Sequence, residues 1–138
     1  VSQTLLGFDF GIKRIGVAVG QSITHTVTPL TTLHNSNETP DWQAIGKLIA
    51  EWQPDKLVVG LPLHLDGTTQ PLTARAQRFG NQLKGRYNLP VEMMDERLTS
   101  HEAESELAKR RSKSGKTDID ALAAALILQS WLDQHGNE

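Results

Sequence analysis

Three acidic positions, far apart in sequence, could work together on one substrate. Asp9 interrupts the apolar run Leu5-Leu6-Gly7-Phe8-Asp9-Phe10. A bare carboxylate buried in such a strand would cost several kcal/mol, so it calls for a metal ion, a Lys or Arg partner, or a bound proton. A second acid comes from the segment Val91-Glu92-Met93-Met94-Asp95-Glu96-Arg97, where alternation sends Asp95 and Glu96 to opposite faces and lets one of them reach a site shared with Asp9. The third is Asp120, one turn into an apolar helix. It shares a face with Ala123, Ala124 and Ile127, small residues that would let the helix carry its carboxylate towards Asp9. An acid at N3, after an N-cap at Thr117, would also offset the helix dipole. Asp118 points elsewhere and suits a capping or first-turn role.

Separated carboxylates suit a hard cation, and Mg²⁺ or Mn²⁺ is the expected cofactor. Such ions activate water and stabilise the leaving oxygen in phosphodiester cleavage. With no cysteines and five scattered histidines, no zinc-type ligand spacing is present, although His64 and His101 both flank expected strand ends. Basic residues stand close to the acids. Lys13 and Arg14 occupy the turn after Asp9, Arg97 adjoins Glu96, and Arg75 falls early in the second helix. Residues 109–116, including Arg110, Lys113 and Lys116, hold five of the 14 Lys and Arg residues. All of these are candidates for the phosphate backbone of a nucleic acid, and the 109–116 run also reads as a solvated connection.

The elements that must position these groups follow from patterning. Strands are expected over 4–10, 14–20 and 26–33, the last with Pro29 marking an edge or an irregularity. Helices are expected over 41–52 and 71–87, and further strands over 56–60 and 90–95. A third helix opens at the Thr99/Glu102 capping box and a fourth runs over 117–132. The order βββαβαβαα predicts an α/β fold with a mixed sheet, in one domain of 138 residues. No run reaches the roughly 20 apolar residues of a membrane span and no signal-peptide pattern opens the chain, so a cytoplasmic location is expected. The net charge of −2 gives no overall basic footprint. The tryptophans fall at helix-packing positions, which argues against a base-stacking platform.

Four motifs in order resemble the YqgF family, also called RuvX: Gly7-Phe8-Asp9-Phe10-Gly11-Ile12-Lys13-Arg14-Ile15-Gly16-Val17-Ala18; Val58-Val59-Gly60-Leu61-Pro62 with Asp66-Gly67-Thr68; Asp95-Glu96-Arg97-Leu98-Thr99; and Ile119-Asp120-Ala121-Leu122-Ala123-Ala124 with Ile127-Leu128-Gln129. The resemblance spans nearly the whole chain. It implies a ribonuclease H-like fold, a five-stranded mixed sheet with three antiparallel N-terminal strands and then parallel strands, flanked by about four helices. It implies Asp9, Glu96 and Asp120 as the catalytic and metal-binding acids, selecting Glu96 over Asp95 and Asp120 over Asp118. The family is described as resolving Holliday junctions or as maturing the 5′ end of pre-16S rRNA. Junction resolvases of the same superfold use four carboxylates, and here only Asp118 could be a fourth, if the last helix begins differently from expectation.

The expected function is therefore a metal-dependent endonuclease acting on structured nucleic acid, pre-rRNA on pre-ribosomal particles or a branched DNA junction. A non-catalytic nucleic-acid-binding module is the alternative. An actin-like ATPase, suggested by Asp9-Phe10-Gly11, needs two such domains and is set aside. Symmetric junction cleavage would call for a homodimer, and no exposed apolar helix in the sequence chooses between monomer and dimer.

Overall fold

The computed structural model describes residues 2–98 and 118–135. Along the chain lie β1 (Thr4–Phe10), β2 (Arg14–Gln21), β3 (Thr26–His34), α1 (Trp42–Trp52), β4 (Lys56–Leu61), α2 (Pro71–Tyr87), β5 (Val91–Asp95), a 3₁₀ turn (Glu96–Leu98) and α3 (Ile119–His135). The strands form one sheet in the order β3-β2-β1-β4-β5. β1, β2 and β3 pair antiparallel, while β4 runs parallel to both β1 and β5. The described residues thus contain three α-helices and a 3₁₀ turn. The helix expected from Thr99, together with His101, Arg110, Lys113 and Lys116, lies outside them.

Alternation along β1 divides the core in two. Leu6, Phe8 and Phe10 face α1 and α2, joining Ile45, Phe79 and Leu83 in one apolar cluster. Phe79 is its centre, with ring centroids 5.6 Å from Phe8, 5.1 Å from Phe10 and 5.7 Å from Trp42. Leu5 faces the other way and packs with Ala124, Leu128 and Leu132 of α3. By the same alternation Asp9 belongs to the α3 side.

The element ends have local causes. Asp41 caps α1 by accepting the Ala44 N–H at 3.1 Å. Pro71 opens α2, where its missing N–H costs nothing. Pro29 sits on the edge strand β3, next to a register shift at Val17/Ala18, so both readings of that proline apply.

The start of α3 differs from expectation. Asp118, rather than Thr117, caps it: its carboxylate accepts the Ala121 N–H at 3.1 Å and its carbonyl accepts the Leu122 N–H. Asp120 is therefore the second helical residue, not the third. The buried face runs through Ala121, Ala124, Ala125 and Leu128. The glycine beneath the helix allows its approach more directly than the helix alanines do. A Cβ on Gly16 would lie 1.8 Å from the Asp120 carbonyl oxygen, so only glycine lets the first turn of α3 rest on β2.

Candidate active site

The register of β1 on β2 places Asp9 opposite Gly16. Because α3 begins directly over Gly16, its first turn arrives beside Asp9. From the other side, β5 ends at Asp95 and the chain turns into the 3₁₀ segment at Glu96. Glu96 reaches back over β4 to the Asp9 carboxyl and hydrogen-bonds with it. Gly60 of β4 clears the way, since a Cβ there would stand 2.6 Å from Glu96 Oε1 and 2.5 Å from Ile127 Cδ1.

The contact between the two carboxyl groups favours a bound proton below neutral pH. Burial pushes the Asp9 pKa from 3.8 up to about 7, helped by the Glu96 charge and hydrogen bond and then by the Asp120 charge. Burial likewise raises Glu96, with the Asp95 charge adding to it. Asp9 forms no ion pair with Lys13, Arg14 or any other base among the described residues. The simplest structural explanation of its burial, a salt bridge, is therefore absent there.

Asp120 acts on Asp9 through its charge, but its carboxylate is engaged elsewhere: Arg14 Nε lies 3.0 Å from Asp120 Oδ2. Three acids were expected at one metal site. Two are in contact, while the third is drawn to Arg14, so among the described residues no three such groups yet enclose a point. The donor set nonetheless fits a divalent oxygen-seeking cation, with two half-buried carboxyls in contact, no basic partner for Asp9 among the described residues, and a third acid within electrostatic reach. Asp118 is a poor fourth. It caps α3 and accepts a short hydrogen bond from the Thr32 hydroxyl.

The expected basic residues separate into groups. Lys13 and Arg14 border a hollow of about 550 Å³ shared with Gly11, Pro71, Leu72 and Asp120, immediately beside the acids. Arg97 grips Asp95 instead, with Nη2 2.6 Å from Oδ2, and its Nη1 reaches the Leu65 carbonyl at 3.4 Å. It braces the end of β5 against the 61–69 loop. Arg75 pairs with Glu38 at 2.7 Å on the opposite side of the sheet. His64 lies in the loop after β4, where its backbone N–H bonds the Thr68 carbonyl.

Some contributors had no signal in the sequence. Asn35 donates through Nδ2 to the carbonyls of Gly11 (3.0 Å) and Ile12 (2.9 Å), clamping the turn that carries Lys13 and Arg14. Its Oδ1 is buried without a partner among the described residues. Ile12 and Ile119 are exposed apolar side chains next to site residues. A polar residue after a strand, an isoleucine in a turn and another at the start of a helix look ordinary until the fold brings them to this edge.

The family described as RuvX, Holliday junction resolvase, matches residues 3–134. The chain belongs to the RuvX family. Similar proteins include one from Glaesserella parasuis serovar 5 named "Putative pre-16S rRNA nuclease", 56% identical, with 97% of this chain and 99% of the relative covered. A protein of the same name from Pseudomonas putida is 54% identical over 95% of each chain. Among solved structures, T. thermophilus RuvC in complex with Holliday junction substrate aligns with a TM-score of 0.61 at 14% identity, covering 96% of both chains. The fowlpox virus Holliday junction resolvase aligns at 0.59 and 14%, covering 96% of this chain and 99% of the viral one. At those identities the likeness establishes the fold, and this RuvX chain has the ribonuclease H-like sheet of these resolvases.

Proposed function

We propose that this RuvX-family nuclease hydrolyses phosphodiester bonds with Mg²⁺ or Mn²⁺ held by Asp9, Glu96 and Asp120, and that it acts in the cytoplasm on the 5′ end of pre-16S rRNA within pre-ribosomal particles. The observation that carries the reading is the Asp9–Glu96 contact, two carboxyls held together at a strand end with no base between them. A buried structural acid is commonly offset by Lys or Arg or by hydrogen bonds, and two contacting carboxyls with neither base beside them suit a cation that would supply the missing positive charge.

Each residue has a stated task. Asp9 and Glu96 would hold the cation through their carboxylates. Asp120 would complete the set, which would leave the Arg14 guanidinium free for a phosphate oxygen. Lys13, on the same turn, adds a second positive charge there. Bound at the acids, the ion would supply an activated water and charge compensation at the phosphate. Arg97 keeps Asp95 turned away, so that Glu96 alone enters the site.

The deciding experiment is cleavage of two labelled substrates, a pre-16S rRNA leader on ribosomal particles and a four-way DNA junction. Wild type and Asp9→Asn are compared in Mg²⁺, Mn²⁺ or EDTA. Metal-dependent cutting of the RNA, lost in Asp9→Asn, is the expected result. Cutting of the junction instead moves the substrate to branched DNA, as the family's description suggests. Equal binding by both proteins with neither substrate cut would make this a nucleic-acid-binding module.

A further inference from the structure

A second hollow, of about 480 Å³, opens between the loop before α1 and one flank of α2. It lies across the sheet from the acids, on the Phe10 side. Three arginines border it, Arg75, Arg78 and Arg86, with Gln82 between them. Their spacing along α2 is i, i+3, i+7 and i+11, so they form a single stripe. That stripe is about 16 Å long at the α-helical rise of 1.5 Å per residue.

The charge in this groove is largely uncompensated. Among the described residues Arg78 and Arg86 have no ion-pair partner. Arg86 Cζ lies over the Trp42 ring, 4.1 Å from its centroid, which helps hold the guanidinium at the groove. Arg75 alone is satisfied, by Glu38 at 2.7 Å. Glu38 is delivered by a tight turn: Asn37 and Glu38 both take left-handed backbone conformations, with φ of 50° and 62°, and Ser36 bridges Thr39. Neither residue is glycine, so the turn costs backbone energy. That cost places one carboxylate at the mouth of an arginine row.

The groove lies near the hollow beside the acids. Phe10 borders this hollow and its neighbour Gly11 borders the one beside the acids. Arg75 stands one turn along α2 from Leu72, which lines that other hollow. A row of this length exceeds a lone phosphate or a single nucleotide and matches a chain of phosphates.

We propose that the Arg75–Arg78–Arg86 groove holds the single-stranded backbone of the nucleic-acid substrate as it leaves the acid site, with Glu38 occupying the first phosphate position in the free protein. This builds on the nuclease reading, but its test measures binding, so the two can fail separately. The probe is a fluorescein-labelled 12-nucleotide oligouridylate, followed by anisotropy with full-length Asp9→Asn protein across a salt series. Arg78→Ala/Arg86→Ala in that background is compared with Lys47→Ala/Lys84→Ala, which removes the same charge from exposed positions outside the groove. The groove variant should lose at least about 10-fold in affinity, and its log–log salt slope should fall by about 1.4, the value for two single-strand phosphate contacts. The control pair should change by less than about 3-fold. Glu38→Gln should bind about 2- to 5-fold tighter, the range expected on releasing one exposed ion pair. Thermal unfolding checks that each variant is folded, and Arg78→Ala alone serves if the double variant is not. Equal weakening by groove and control pairs, an unchanged salt slope, or no binding of the probe by the parent protein would overturn the proposal.

Discussion

The carboxyl groups of Asp9 and Glu96 meet above Gly60, although their strands are separated by β4 in the sheet. The contact needs a strand between them that carries no side chain at that point. Gly60→Ala should therefore damage the site out of proportion to its size. The new methyl would collide with Glu96 Oε1 and Ile127 Cδ1; both are side-chain ends that can swing aside, so the melting temperature should change little while Glu96 is pushed off Asp9. Cleavage should fall at least about 100-fold, since an error of about 1 Å in a catalytic group has effects of that order. Matched thermal-melt and turnover measurements check it, and a folded variant with wild-type turnover would remove Glu96 from the site.

The raised Asp9 pKa makes metal-free stability depend on pH. The group titrates near 3.8 when unfolded and at about 7 when folded. The folded protein therefore binds the extra proton between those values. The associated stabilisation is complete below about pH 4 and is lost as pH rises through about 7. In EDTA, Asp9→Asn should melt above wild type at pH 8 by roughly 3–8 °C, the shift expected from about 1–2 kcal/mol in a chain of this size. The gap should close as pH falls towards 4. A gap that stays constant with pH would contradict a shared proton.

Cation addition should act in the same direction. At pH 8, Mg²⁺ or Mn²⁺ should raise the melting temperature of wild type and leave Asp9→Asn nearly unchanged, because a ligand that binds only the folded state stabilises it. Equal shifts in both proteins would place cation binding elsewhere.

Arg14 holds Asp120 with both side chains partly open to water. Such pairs contribute about 0–1 kcal/mol, so Arg14→Gln should barely change the melting temperature. Its kinetic effects should oppose one another. The metal concentration for half-maximal activity should fall, because Asp120 is released, while KM rises from the loss of a phosphate contact. A parallel rise in both would argue that Arg14 positions Asp120 for the metal rather than competing for it.

Asn35 holds the Gly11 and Ile12 carbonyls together. Asn35→Ala should cost about 1–2 kcal/mol, the value of two modest hydrogen bonds, offset in part by removing its orphaned Oδ1. Asn35→Asp should be worse, since an ionised carboxylate would face two carbonyl oxygens. Urea unfolding of the two variants checks the order.

Much of this fold is legible in the sequence because each strand announces itself through burial. The apolar runs of β1, β2 and β4 admit few alternatives, and Pro71 and the Tyr87-Asn88 end bound α2 at the expected residues. Asp9 was legible for the same reason, as a charge in a place that excludes charge. Gly60 and Gly16 were not. Their contribution is space, and the atoms needing that space come from β5 and α3, far along the chain. The Arg75–Glu38 pair was hidden by its separation of 37 residues, and Arg97 looked like a phosphate ligand because nothing local shows that Asp95 claims it. The cap of α3 lies one residue later than expected because Thr and Asp are both good caps, and Thr32 on β3 supplies a partner for Asp118.

The two outer strands of the sheet differ in what they permit. β3 carries Pro29, which has no N–H to offer, beside a break in its pairing with β2. Another chain cannot extend the sheet smoothly past that point. This proline therefore opposes edge-to-edge pairing with another chain on the β3 side of the sheet, the side away from β5.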